Sequence, residues 1–144
     1  MQTVAFKPNA LKFEDGVKRV QEAIYSSGLS LKGKILTSRD KELEPLLDAL
    51  EVKNVPAEFK KWQLPFVFDR SQLYISVGNP GADVPKHSHD EGDGLRYIVS
   101  GSILYNGKVL NAGDWMFIPK GVSYEFKVGK LGATMFYCYQ CCCA

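Results

Sequence analysis

Long apolar runs are missing from this sequence of 144 residues. No window approaches the roughly eighteen consecutive apolar residues of a membrane-spanning helix. The opening stretch, MQTVAFKPNALKFEDG, also lacks the apolar segment of a signal peptide. From these two absences we expect no association with a membrane and a cytoplasmic location.

Clustered positive charge is scarce as well. The formal net charge is +2, with eleven basic and nine acidic residues up to Lys61 and seven of each after it. Proteins that bind nucleic acid usually group Lys and Arg on one surface, where they replace the counterions of the phosphates. The only adjacent basic pairs are Lys18-Arg19 and Lys60-Lys61. Nucleic acid is therefore not an expected partner.

Cysteine is nearly confined to one end of the chain, with Cys138 and the three consecutive residues 141–143. This crowding argues against a disulfide framework, which would distribute the partners along the sequence. The last four residues have the form of a prenylation box, but its middle positions are not aliphatic and no polybasic stretch precedes it. We predict a reduced Cys-rich tail at residues 141–144, with soft-metal capture or thiol chemistry as the alternative.

Helical patterns occupy the first part of the chain. Apolar residues recur three and four positions apart over residues 15–27, and Gly28 follows where a helix C-cap would lie. Four leucines between residues 43 and 50 mark a second helix, in which Pro45 is tolerated only in the first turn. The segment VPAEFKKW adds one more predicted helical turn. We interpret residues 1–61 as a helical cover packed on the rest of the domain, because sixty residues alone would bury a marginal core.

After Pro65 the apolar period changes to two, which is typical of strands. Asn106-Gly107 lies between two apolar arms and is a strong signal for a hairpin turn, since both residues accept a positive φ. Short strands with Gly-rich turns and no intervening helix predict an antiparallel β-barrel or jelly roll over residues 62–140. The expected fold class is therefore mainly β, with an N-terminal helical extension. The predicted strand segments are QLYISVG, VPKHSH, LRYIVSG, SILYNGKVL, WMFIP, SYEFKV and ATMFYCYQ.

The two histidines of the chain stand together as His87-Ser88-His89. On a strand this spacing places both imidazoles on one face, roughly 7 Å apart at Cα. Three acidic residues follow within the next four positions. Two imidazoles and one carboxylate make a facial triad with open coordination positions, which suits Fe(II), Mn(II), Ni(II) or Zn(II). The alternative is a solvated pair of histidines at a strand end.

Two segments, residues 81–101 and 113–124, resemble the two motifs of the cupin superfamily. Seven positions agree in type and spacing, and the resemblance covers about half of the chain. It implies a cupin-type β-barrel, a homodimer, and a mononuclear metal used for oxygenation, isomerisation, decarboxylation or lyase chemistry. The matching residues are Gly81, His87, His89 and Gly101 in the first motif and Gly113, Pro119 and Gly121 in the second.

The chain departs from these motifs at their other ligand positions. The glutamate position of the first motif holds Gly94, and its nearest acidic substitute is Asp93, three residues beyond His89, with Glu91 and Asp90 as the reserves. The histidine position of the second motif holds Tyr124. The resemblance therefore implies a metal site of two histidines and Asp93, with the Tyr124 phenol acting on substrate as an acid or hydrogen-bond donor.

Arg96 follows the acidic loop and has two interpretations. If it points inward, its guanidinium can bind a carboxylate or phosphate through two hydrogen bonds and act in catalysis. The alternative is an arginine paired at the surface, since a buried arginine needs full pairing.

Three functions agree with these features. The first is a metalloenzyme that acts on a small polar metabolite, of the oxygenase, isomerase or lyase type, at a site of His87, His89 and a carboxylate. The second is a non-catalytic cupin that senses a metabolite or a metal. The third is a metal-free isomerase or dehydratase that uses a histidine as base and Tyr124 as acid.

Overall fold

The computed structural model describes residues 5–7 and 10–140. The cysteine-rich tail predicted at residues 141–144 lies outside the described residues. The helices and strands are, in chain order, α1 Phe13–Ser27, β1 Leu36–Thr37, a 3₁₀ helix Lys41–Leu43, α2 Glu44–Ala49, β2 Glu51–Val52, β3 Lys61–Trp62, β4 Gln72–Gly78, β5 Asp83–His87, β6 Gly94–Tyr105, β7 Lys108–Asn111, β8 Trp115–Ile118 and β9 Tyr124–Tyr139.

The chain divides into two compact units, and the first comprises residues 1–30 and 41–67. Its helix α1 ends at Gly28, whose φ of 72° and hydrogen bond to the Tyr25 carbonyl confirm the predicted C-cap. Pro45 lies in the first turn of α2, as predicted. The helical turn predicted for the segment VPAEFKKW is wrong at its C-terminal end. Residues 61–62 form β3 there, which pairs with β2 in a two-stranded sheet.

The partly buried side chain of Arg19 connects α1 with the end of α2. The guanidinium of Arg19 donates hydrogen bonds to the backbone carbonyls of Leu50, at 3.2 Å, and Glu51, at 2.8 Å, just beyond the end of α2. It also donates to the Gln63 side chain, at 2.8 Å. Because the last carbonyls of a helix have no partner within the helix, such donors stabilise its end. No helix among the described residues combines the length and the apolar character needed to cross a membrane.

The second unit comprises residues 31–40 and 68–144 and contains a seven-stranded antiparallel sheet. The strand order is β1-β8-β6-β9-β4, with β5 also paired to β9 and β7 to β6. Strand β9 is 16 residues long and pairs with three other strands. The predicted hairpin is present between β6 and β7, where Asn106 and Gly107 have φ values of 48° and 74°. The mainly antiparallel β class predicted from the sequence is confirmed.

The motif glycine Gly101 marks the place where β6 changes register against β9. Its φ is 74°, and a Cβ atom there would overlap the carbonyl oxygen of Gly132. Only glycine accepts both the positive φ and this close approach of two backbones. The residue is therefore required by the course of β6, whatever the site contains.

Strand β4 alternates as predicted, but its apolar side chains are on the outside. Leu73 and Ile75 are 64% and 74% exposed, and Val77, which also borders the cavity described below, is 72% exposed. The intervening Tyr74 and Ser76 belong to the wall of a cavity inside the unit. The buried core of the sheet is built instead by residues of the other strands, namely Ile98, Ile103, Leu110, Met116, Ile118, Tyr124, Phe126, Val128, Ala133 and Met135.

Candidate functional site

A cavity of about 410 Å³ lies within the sheet unit, against β4, β5, β6 and β9. Cross-strand register explains which side chains surround it. Tyr74, Tyr137 and Arg96 are opposite one another on β4, β9 and β6, so all three project from the same face of the sheet. Both histidines also line the cavity. A wider cavity of about 880 Å³ in the helical unit has no histidine among the described residues of its wall.

The two histidine rings are adjacent, as their spacing predicts. His87 is the last residue of β5 and His89 lies two positions beyond it. Their ring centroids are 5.1 Å apart and the rings are nearly perpendicular. Nδ1 of His87 is 2.7 Å from the carbonyl oxygen of Pro85. Because a carbonyl can only accept, Nδ1 carries the hydrogen, and Nε2 of the neutral ring holds the lone pair.

Tyr124 connects the histidines to the arginine. Its hydroxyl oxygen is 3.2 Å from Nε2 of His89 and 3.3 Å from Nη2 of Arg96. Since a guanidinium can only donate, the phenol oxygen accepts from Arg96, which leaves its own proton available to Nε2 of an uncharged His89 ring. Tyr124 is buried and does not belong to the cavity wall. Its hydroxyl therefore contacts His89 and Arg96, which both line the cavity.

Arg96 is inside the protein, only 8% exposed. Its guanidinium lies 4.5 Å from the ring centroid of Tyr137 and 5.0 Å from that of Phe126. Nη1 is 3.7 Å from the sulfur of Met135, and Nε has no hydrogen-bond partner within the described residues. In that same part of the chain no carboxylate forms a salt bridge with it. The aromatic faces stabilise the cation but leave its N–H donors incompletely used.

The acidic residues proposed as ligands have other surroundings. Oδ1 of Asp93 accepts a hydrogen bond from the backbone N–H of Lys120, at 2.8 Å. Glu91 is exposed, and its backbone N–H donates to the Tyr139 hydroxyl. Among residues 5–7 and 10–140, no group of three or more His, Cys, Asp or Glu side chains is arranged to hold a metal ion. The described residues therefore do not fit a complete site of two histidines and one carboxylate.

Tyr137 is a site residue that the sequence analysis did not identify. The glutamate position of the first motif holds Gly94, and a Cβ atom there would overlap the Tyr137 hydroxyl. Tyr137 therefore fills the space that a longer residue at position 94 would need. The sequence did contain a signal for this residue. In the segment ATMFYCYQ every second residue shares one face of β9, and these residues are Met135, Tyr137 and Tyr139.

Burial and neighbouring groups change the pKa of two groups at the cavity. Burial, followed by electrostatic interactions with His87 and Arg96, lowers the pKa of His89 below its ordinary value of 6.5. Burial, followed by the neighbouring Tyr124 phenol, raises the pKa of Tyr137. At neutral pH His89 is therefore an uncharged imidazole and Tyr137 a protonated phenol.

No family model matches this chain, and no curated protein matches it. Matching solved structures include a protein of unknown function with a cupin-like fold from Ralstonia eutropha, which is 20% identical over 51% of this chain and 48% of its own, with a TM-score of 0.45. An RmlC-like cupin from Shewanella frigidimarina is 23% identical over 51% of this chain and 68% of its own, also at 0.45. A cupin from Bacteroides fragilis is 26% identical over 51% and 67%, at 0.41.

This chain spans about half the length of the Ralstonia protein. The antiparallel sheet predicted from the sequence is confirmed by the strand pairing itself, whereas the cupin type of that fold stays a prediction.

Proposed function

We propose that this protein is a small-molecule enzyme that removes and returns a proton on its substrate, as isomerases and dehydratases do. The observation that carries the proposal is the position of the Tyr124 hydroxyl, which is 3.2 Å from Nε2 of His89 and 3.3 Å from Nη2 of Arg96, beside a cavity of about 410 Å³. This arrangement supplies proton acceptors, a hydrogen-bond donor and a fixed positive charge at one place.

His87 is the proposed general base. Its hydrogen bond to the Pro85 carbonyl fixes the tautomer, so that Nε2 is free to accept a proton from a substrate carbon. The electrons of the broken C–H bond then move toward an adjacent substrate oxygen, which becomes negative. His87 returns the proton to a different carbon in an isomerisation, or assists loss of a hydroxyl group as water in a dehydration.

Arg96 and Tyr137 are the proposed partners of the developing negative charge. Arg96 supplies a positive charge, and the raised pKa of Tyr137 keeps its hydroxyl protonated. Donors held in place before the reaction stabilise such a charge without reorganising. Tyr124 is a positioning residue, because it acts through His89 and Arg96 and does not line the cavity.

Exchange of substrate hydrogen for deuterium tests this proposal. The purified protein is incubated in D₂O with small acids that carry a C–H bond beside a carbonyl, such as 2-oxobutyrate and phenylpyruvate, and exchange above the spontaneous rate is followed by NMR. His87→Ala should reduce catalysed exchange by about 100-fold or more. Arg70→Met, which removes an exposed arginine of the same unit, should leave it unchanged. Exchange that survives loss of both histidines would reject the proposal.

A metal-dependent enzyme is the second candidate, favoured by the two imidazoles 5.1 Å apart at the cavity wall. Two histidines alone would hold a divalent ion much less tightly than a complete set of protein ligands. Elemental analysis and titration with Fe²⁺, Mn²⁺, Ni²⁺ and Zn²⁺ distinguish the candidates. Equal metal content in the parent and in the His87→Ala/His89→Ala variant would reject this one.

Asp93 provides a further test of the metal candidate. Because its carboxylate binds the Lys120 backbone, we expect Asp93→Asn to change metal affinity by less than about threefold. A loss of about tenfold or more would instead identify Asp93 as the third ligand.

A further inference from the structure

Three buried polar side-chain atoms have no hydrogen-bond partner within the described residues: Oγ of Ser76, Nε of Arg96 and the hydroxyl of Tyr137. Buried polar groups in proteins are almost always hydrogen-bonded, so each exception requires an explanation. All three residues line the same cavity of about 410 Å³. Their coincidence in one cavity points to a ligand that completes their hydrogen bonds.

The sheet register explains how the three groups come together. Arg96 and Tyr137 are direct cross-strand neighbours on β6 and β9. Ser76 on β4 is opposite Met135, which precedes Tyr137 by two positions and therefore shares its face. The contact of Arg96 Nη1 with the Met135 sulfur connects the cross-strand pair of Ser76 and Met135 with the pair of Arg96 and Tyr137. The three unpartnered groups therefore lie close together on one face of the sheet.

The charge of the cavity wall indicates the sign of the ligand. Among the described residues of the wall, Arg96 is the one Lys, Arg, Asp or Glu. A buried cation without an anionic partner is costly, so the protein would be expected to pair it with a negative group. One fixed positive charge matches a singly charged carboxylate better than a doubly charged phosphate.

We infer that this cavity binds a small monocarboxylic acid through Arg96, Tyr137 and Ser76. Nε–H of Arg96 and the two hydroxyls donate hydrogen bonds to the carboxylate oxygens. In a 2-oxo acid the carbonyl oxygen, on which the negative charge develops, is adjacent to a carboxylate oxygen, so the same donors serve both. The apolar body of the acid packs against Val84 and Phe126. The volume is near the lower end of the range of about 300–1,000 Å³ found for ligand pockets. This inference rests on the proposed function, to which it adds the substrate class.

Matched pairs of charged and neutral probes test the inference by isothermal titration calorimetry on the full chain. Benzoate and hexanoate should bind at least about tenfold more tightly than benzamide and hexanamide, because only the carboxylates pair with the guanidinium. Phenyl phosphate is the third probe. Equal affinity for an acid and its amide would overturn the inference, and so would phenyl phosphate binding more tightly than benzoate.

Variants locate the binding groups. Arg96→Met should weaken benzoate binding by about tenfold or more, whereas Arg70→Met should not change it. Without a probe, Arg96→Met should raise the melting temperature, because it replaces an unpaired buried charge by an apolar side chain of similar length. A lowered melting temperature with unchanged benzoate affinity would assign Arg96 a structural role and overturn the inference. Tyr137→Phe and Ser76→Ala should each weaken benzoate binding severalfold.

These experiments distinguish failure of the carboxylate site from failure of the proposed function. Selective carboxylate binding without histidine-dependent deuterium exchange would reject the proposed function and retain the carboxylate site. Histidine-dependent exchange by a protein that binds amides as tightly as acids would reject the carboxylate site and retain the proposed function.

Discussion

The hydroxyl of Tyr137 occupies the space in which a side chain at Gly94 would begin, and Cζ of the same ring is 2.9 Å from the position of a Cβ atom there. Gly94 stands at the glutamate position of the first cupin motif, and Tyr124 stands at the histidine position of the second. Phenols therefore occur at or beside two positions where the resemblance implies metal ligands. Of these phenols, Tyr137 lines the cavity, and together with Arg96 it supplies hydrogen-bond donors there in place of anionic acceptors.

The contact between Gly94 and Tyr137 predicts the effect of adding one methyl group. Gly94→Ala should destabilise the protein by about 1–3 kcal/mol, because the phenol ring must move in a packed strand pair. It should also weaken benzoate binding by displacing the Tyr137 hydroxyl. Gly16→Ala in α1 is the control, since its Cβ has ordinary contacts and alanine favours a helix. Unfolding in urea and calorimetry measure both effects, and an unchanged Gly94→Ala protein would contradict the described packing.

Removal of the Tyr124 hydroxyl tests its positioning role. Tyr124→Phe should lower catalysed exchange by about 10- to 100-fold, because Nε2 of His89 loses its donor and Arg96 loses an acceptor. The ¹⁵N shifts of the His89 ring should also change, which simple loss of packing would not cause. Tyr105→Phe, at a half-buried tyrosine outside the cavity wall, is the matched control. Full activity with unaltered His89 shifts would make Tyr124 a packing residue.

His89 should remain mostly uncharged at pH 6.5. Burial and then electrostatic interactions with His87 and Arg96 lower its pKa in the folded protein, so the folded state binds fewer protons than the unfolded state. Its contribution to stability is therefore complete above pH 6.5 and is lost as the pH falls through the lower folded pKa. NMR titration of the ring measures this value, which Arg96→Met should raise and Arg70→Met should not. A His89 pKa at or above 6.5 would contradict the burial described.

Asp114 should stabilise the sheet unit where residues 38–39 meet the turn between β7 and β8. Its carboxylate accepts hydrogen bonds from Ser38 Oγ at 2.8 Å, from Arg39 Nε at 2.9 Å and from the Asn111 backbone at 2.9 Å. Asp114→Asn should cost about 1–3 kcal/mol at pH 7, because an amide replaces one acceptor by a donor that faces other donors. Asp83→Asn, at a carboxylate 77% exposed, should change stability by less than about 0.5 kcal/mol.

The pH dependence of this effect follows from the pKa of Asp114. Burial raises that pKa, but the hydrogen bonds from Asn111, Arg39 and Ser38 lower it by more, so that it lies below its ordinary value of 3.8. The stabilisation is therefore present above pH 3.8 and is lost as the pH falls through the folded pKa. The difference in stability between the parent and Asp114→Asn should therefore shrink as the pH falls below about 3.8. A constant difference would contradict the described hydrogen bonds.

Local patterns were sufficient for most of the elements. The end of α1 at Gly28, the place of Pro45 in α2 and the hairpin at Asn106-Gly107 depend on residues near each other in the sequence, and all three are present. The segment around Lys61 was predicted as a helical turn but pairs with β2. That pairing depends on a partner strand nine residues away, which the local pattern of the segment does not reveal.

The sequence by itself determined the mainly β class, the adjacency of His87 and His89, and the two positions where motif ligands are replaced, because each is a matter of type and spacing along the chain. Tertiary structure decided the inward side of β4, the burial of Arg96, and the meeting of Ser76, Arg96 and Tyr137. The physical reason is register. A shift of one residue between paired strands would move every side chain to the opposite face, and only the pairing of β4, β9 and β6 fixes which residues face the cavity.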